Sequence, residues 1–165
     1  MPVDRPPSNV SRPSAVGLHA ALLLAIAGLA AWLTGVPALF PSLGPSAFVL
    51  AARERGPTPR TVLGGHAVGV VCGLFTYAVV AALFSVPTTP LDFHPPWLVV
   101  SGVVAVGLTS TGMLALDAVH PPACATTLIV ALGLMSTPRE AALVLPAVAS
   151  LLVVHRFTSR IRFPF

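Results

Sequence analysis

Residues 61–86 read TVLGGHAVGVVCGLFTYAVVAALFSV, a run with no Asp, Glu, Lys or Arg. A helix rises about 1.5 Å per residue and a hydrocarbon core is about 30 Å thick, so this run is long enough to span a membrane. Working outward, three further apolar runs occupy residues 17–36, 98–119 and about 141–155. The whole chain agrees: of 165 residues, 55% are hydrophobic and 8% charged, and the mean hydropathy is +0.89. Soluble domains carry about a quarter charged residues, so a water-soluble globule is excluded. The expected fold is an all-α membrane protein with four long transmembrane helices.

Two short apolar pieces separate the long ones. Pro37, Pro41, Gly44 and Pro45 follow the first run, and proline removes a helical donor and clashes with the preceding turn. Residues Pro41, Gly44 and Pro45 are therefore read as a helix break, followed by a short helix over 46–52. A second break at Pro121 and Pro122 precedes a short helix over 123–135. Residues 1–14 read as a disordered leader; the run at 17–36 is too long for a cleaved signal core. Residues 15–165 form one transmembrane domain. Its halves, about 17–86 and 98–162, each run long span, proline break, short helix, and share the tripeptide Thr-Pro-Arg at 58–60 and 137–139. They read as two tandem repeats.

Charge sets the orientation. All nine basic residues are arginine, against five acids, for a net charge of +4. With four crossings, Arg5, Arg12, Arg156, Arg160 and Arg162 face Arg53, Arg55, Arg60 and Arg139. With six, only Arg139 stands opposite the rest, which fits the positive-inside rule far better. Each half then crosses three times, so the repeats are inverted, an arrangement common among transporters. The expected location is the cell (inner or plasma) membrane, with both termini cytoplasmic. The arginines flank spans, so they read as topology signals and not as a nucleic-acid surface.

Irregular backbone at membrane depth survives only where it is buried in protein or lines a wet cavity. The two breaks are thus the candidate site, each opening onto a helix start whose unpaired N–H groups favour an anion. Ser46, Ala47, Ala123, Cys124 and Thr126 are the expected donors through backbone or hydroxyl, although Ser42, Ser46, Thr126 and Thr127 can equally bond their own helix. His120 can donate to an anion, titrate, or cap the preceding span. His66, after Gly64-Gly65, is the second imidazole candidate. Asp117, three residues before His120, is placed to orient it on a continuous helix, or to reach water. His19, His94 and His155 flank spans as interfacial residues. Gly64, Gly65, Gly69, Gly73, Gly102, Gly107 and Gly112 suggest close helix packing. Cys72 and Cys124 match no metal or redox spacing and read as packing residues. There is no nucleophile elbow, phosphate loop or histidine pair on metal spacing, so no enzyme, cofactor or metal is expected.

His120-Pro121-Pro122-Ala123 resembles the signature of the HPP family of integral membrane proteins. Leu43-Gly44-Pro45-Ser46-Ala47 and the stretch Pro59-Arg60-Thr61-Val62-Leu63-Gly64-Gly65-His66 resemble two further family motifs in the same order. The likeness spans about residues 17–155. It departs at Cys124, where many members have glycine, and at Pro45, where many have alanine. The resemblance implies a membrane protein usually described with four transmembrane helices, and chloroplast members are linked to nitrite transport. The expected function is therefore a transporter or channel for a small inorganic anion such as nitrite, in the lipid bilayer; a bundle of 165 residues is small for a complete pathway, so a homo-oligomer is expected. The alternatives are a non-transporting membrane scaffold, or a pathway for a neutral solute or cation.

Overall fold

A computed structural model describes residues 13–52, 56–84 and 96–159. Seven helices lie in these residues: α1 (Pro13–Thr34), α2 (Leu39–Ala52), α3 (Pro59–Phe84), α4 (Pro96–Ala115), α5 (Ala123–Ala131), α6 (Pro138–Ala142) and α7 (Val144–Thr158). Among the described residues there is no strand. α6 and α7 continue past Leu143 as one apolar stretch, Pro138–Thr158, so four helical stretches are long and apolar enough to cross a membrane. The surface suits lipid: Trp32 is 77% exposed, and Leu18, Val103 and Leu114 also face outward. Asp92, His94 and Arg5, Arg12, Arg53, Arg55, Arg160 and Arg162 lie outside the described residues, as does the leader up to residue 12. Pro13 and Ser14, expected in that leader, already belong to α1.

The helix boundaries follow from local chemistry. Thr58 and Thr137, the first residues of the repeated tripeptide, cap α3 and α6: the Thr58 hydroxyl accepts from Thr61 N–H at 3.2 Å, and Thr137 forms a reciprocal capping box with Glu140. The prolines behind them stand at the first helical position, where no donor is needed. Three helices end on a residue in the left-handed region: Gly35 after α1 (φ 69°), Asp117 after α4 (φ 50°) and Gly133 after α5 (φ 81°). In each, the next N–H reaches back five residues, as in Val36 N–H to Ala31 O, Ala118 N–H to Met113 O and Leu134 N–H to Ile129 O. This motif closes the otherwise unpaired carbonyls.

One expectation fails here. Pro41, Gly44 and Pro45 do not break the chain: α2 starts at Leu39 and runs through all three. Pro41 sits in the first turn, where a missing N–H costs nothing, and Pro45 removes only one interior bond. The break lies earlier, at residues 35–38, with Gly35 as its pivot. The second break does fall at Pro121 and Pro122, with Pro122 as the N-cap of α5. α4 ends at Ala115, however, so Asp117 is an exposed residue beyond the helix and its expected helical spacing to His120 is not realised.

Neighbour contacts fix the direction of each helix. At one end of the bundle, His19 of α1 stacks on His155 of α7, with ring centroids 5.3 Å apart, and Gly56, just before α3, lies against His155. At the other end, Leu33–Val36 and Thr137–Glu140 line one cavity, and Phe84 stacks on Trp97. α1 therefore leads from the first end to the second. α2 returns beside it, with Phe40 against Gly28 and Leu24 near Gly44. α3 leads out again, α4 returns, α5 leads out and α6–α7 return. Helix direction thus alternates from one element to the next along the chain. Arg60 and Arg156 stand at the first end and Arg139 at the second.

One apolar core joins the helices, with Val62 and Val70 of α3 and Ile129 and Val130 of α5 in the same cluster as the residues of α1, α2 and α7. Leu23, Leu39, Leu43, Leu50, Val144, Val148 and Leu151 bury α1, α2 and α7 against one another. α5 lies in a slot between α3 and α4. A Cβ on Gly69 would stand 2.7 Å from Thr127 Oγ1, and one on Gly73 would stand 2.8 Å from Val130 Cβ. Gly65 meets His120 in the same way, whereas Gly107 has nothing within 4 Å. Glycines spaced by four residues thus let α5 approach the α3 backbone, as small residues do in membrane helix pairs.

Candidate functional site

α2 and α5 meet across α3, and a polar network lies where they do. Ser46 is in the second half of α2, His66 is in the first third of α3, His120 opens the turn that leads into α5, and Thr126 is in the first turns of α5. Ser46 Oγ lies 2.9 Å from Nε2 of His66 and 2.9 Å from Nε2 of His120. Thr126 Oγ1 lies 2.8 Å from Nδ1 of His66. The two rings are tilted by 54° with centroids 5.3 Å apart. All four residues are at most 1% exposed. His66 is seven residues into α3, which places the network about 10 Å from the start of a helix about 39 Å long.

The local sequence explains each position. Gly65, immediately before His66, lets the His120 turn close against α3, since any Cβ there would stand 2.7 Å from His120 Cβ. Pro121 and Pro122 direct the chain from that turn into α5. Pro45 leaves Pro41 O without its usual helical partner one turn before Ser46. The polar side chains satisfy each other, as buried groups must when no water competes. The other buried polar residues in the described part, Ser42, Thr76, Ser101, Thr109 and Thr127, are hydroxyls, so the interior holds no carboxylate, lysine or arginine among the described residues.

Of the expected substrate-binding residues, Ser46, His66, His120 and Thr126 come together. Ala47 and Ala123 are buried beside them in sequence, while Cys124 is a half-buried free thiol. The expected mode of binding is corrected. The N–H groups of Ala123, Cys124 and Ala125 are bonded to the carbonyls of His120, Pro121 and Pro122 at 2.9, 3.0 and 3.1 Å. Those of Leu39 and Phe40 are bonded to Val36 and Pro37, and Ser46 and Ala47 lie inside α2. Tight turns supply the carbonyls that a helix start otherwise lacks. The helix starts therefore present no row of unpaired amides; side chains make the site.

Ser42 and Thr127 take the bland alternative and bond carbonyls of their own helices, Leu39 O and Ala123 O. Two further partners were missed. Thr109 Oγ1 meets Thr127 Oγ1 at 3.0 Å, and Ser101 donates to Ala131 O at 2.9 Å. The signal was available: Ser101, Ala105, Thr109 and Met113 recur every fourth residue as a buried stripe of α4, from which Ser101 and Thr109 reach α5. Among the described residues, no group of three or more His, Cys, Asp or Glu is arranged to hold a metal ion.

At the second end a cavity of about 660 Å³ is lined by Leu33, Thr34, Gly35, Val36, Thr137, Arg139, Glu140 and Leu143. Arg139 is exposed there. The family described as "HPP, transmembrane region" matches residues 5–162. No curated protein and no solved structure matches the chain.

Proposed function

The chain belongs to the HPP transmembrane family, and from that premise we propose that it is a membrane transporter or channel for a small inorganic anion such as nitrite. The observation that carries this reading is the buried Ser46–His66–His120–Thr126 network. Ionisable side chains inside a bilayer are costly, and they characteristically mark solute or proton pathways. Two imidazoles and two hydroxyls offer hydrogen-bond donors to an anion without a fixed buried cation that would trap it. The absence of buried carboxylates among the described residues disfavours a cation pathway. In this reading the buried network is the constriction of the path.

By the same reading the protein sits in the cell membrane with the Arg60 and Arg156 end cytoplasmic, as a homo-oligomer, since one small bundle offers little room for a complete pathway. It is not an enzyme and uses no cofactor. Dry packing of the network favours one rival, a non-transporting scaffold for partner proteins or lipids. Purified protein in liposomes separates the two. Saturable nitrite uptake that is lost in His120→Ala supports transport. Absence of flux for every anion tried favours the scaffold, and flux of uncharged solutes or cations alone supports the third possibility.

A further inference from the structure

Three hydrogen bonds of the site run in a line, Thr126–His66–Ser46–His120, with every link between 2.8 and 2.9 Å. Two ring nitrogens converge on a single hydroxyl. A serine has one proton to donate, so at least one of the two Nε2 atoms must carry a hydrogen and give it to Ser46 Oγ. The line can therefore be polarised toward either end, and reversing it moves protons between atoms already in contact. Imidazole is the side chain suited to this near neutral pH.

We propose that this line is a proton relay, and that the cargo crosses as an anion together with a proton. The proposal rests on the anion-transport reading above and narrows its substrate class to conjugate bases of weak monoprotic acids, such as nitrite or formate. The step balances as follows. His120, carrying a proton on both ring nitrogens, gives the Nε2 proton to Ser46 Oγ while the Ser46 hydroxyl proton passes to Nε2 of His66. His66 gives its Nδ1 proton to Thr126 Oγ1, and the Thr126 hydroxyl proton passes to the anion. Imidazolium plus anion become neutral imidazole plus neutral acid. Every other group keeps its proton count, and the cycle closes when the two rings and two hydroxyls reorient and His120 takes up a new proton on Nε2.

Neutralising the cargo at the constriction removes the main cost of taking it through a low-dielectric core. α2 supplies Ser46, α3 supplies His66 and α5 supplies Thr126, all of them fully buried. Other titratable groups on the packed elements are Cys72 and Tyr77 on α3, Cys124 on α5, exposed Asp117 after α4, and the stacked His19 and His155 at the first end.

The test uses the full chain in liposomes with an entrapped pH dye. Nitrite uptake and lumenal acidification are followed together, and proton entry driven by a valinomycin-clamped potassium gradient is followed without nitrite. Acidification in step with nitrite uptake, with formate carried and nitrate and chloride refused, is the expected result. His66→Gln and Ser46→Ala should lose the acidification. Gln retains hydrogen bonding but cannot pass a proton, and size-exclusion profiles are the check that the variants fold. Nitrite uptake without acidification, or equal transport of nitrate, overturns the relay and leaves the anion reading intact. Potential-driven proton entry that needs His66, without nitrite uptake, supports the relay and overturns the anion reading. Neither flux overturns both.

Discussion

α2 and α5 enter the same network running in opposite directions, yet they are held there by different means. α2 carries Pro41 and Pro45 within its fourteen residues and packs mainly through leucines, Leu39, Leu43 and Leu50. α5 has nine residues and no proline inside; its prolines precede it and shape the turn that bears His120. α5 is seated backbone to backbone in a glycine slot, whereas Gly44 of α2 meets only Leu24 Cδ1, at 3.9 Å. The same residue types thus do different work. Proline delivers a side chain in one half and is merely accommodated in the other; glycine is a contact in one and a looseness in the other.

The sharpest break of this comparison is all-or-none. If each short helix completes its pass across the membrane, Gly56 and Ser136 lie on opposite sides. Single cysteines at these positions, in a chain with Cys72→Ala and Cys124→Ala, should react with an impermeant maleimide from opposite faces. Labelling from one face would mean that α2 and α5 turn back within the bilayer, leaving four crossings. It would also split the arginines almost evenly.

Next in size is the slot. Gly69→Leu sets a side chain where a Cβ already meets Ala123 O at 3.0 Å, and backbone cannot swing aside. Overpacking of this kind typically costs about 1–3 kcal/mol and occasionally more. The expected outcome is a marked fall in folded yield and thermal midpoint in detergent. An unchanged midpoint would show that α5 is not wedged against α3.

A paired effect of similar size separates the network from ordinary helix hydroxyls. Ser46→Ala removes the bridge from two buried ring nitrogens, and stranded polar groups cost about 1–3 kcal/mol each at most. Ser42→Ala removes only a bond to its own helix at Leu39 O, and should cost less than about 1 kcal/mol. Equal losses in thermal unfolding would mean that the network contributes nothing beyond local hydroxyl bonding.

These contrasts also explain what was legible beforehand. The long spans follow from uncharged length, and His66, His120, Ser46 and Thr126 follow from polar residues in apolar surroundings beside prolines. Reading prolines 41 and 45 as a break failed because proline opposes a helix only through one bond and one clash, and a first-turn position removes the need for the bond. The anion site of bare amides failed for a related reason: a tight turn ahead of α5 brings its own carbonyls. Ser46 as the single bridge between two imidazoles joins residues far apart in sequence, a geometry that no local pattern encodes.

The finest test concerns Gly44. Its would-be Cβ makes an ordinary contact with Leu24, and the residue has no positive φ. Gly44→Ala should therefore raise the thermal midpoint slightly, by up to about 1 kcal/mol of stability, because glycine gives up more freedom on becoming helical. The same change at Gly133, where φ is +81° and Tyr77 Cε2 lies 2.7 Å from the added Cβ, should destabilise. If Gly44→Ala lowers the midpoint instead, α2 does not spend its time as the continuous helix described above. The Gly44-Pro45 step would then be a working hinge, and the contrast between an accommodating α2 and a wedged α5 would become one between a moving part and its fixed seat.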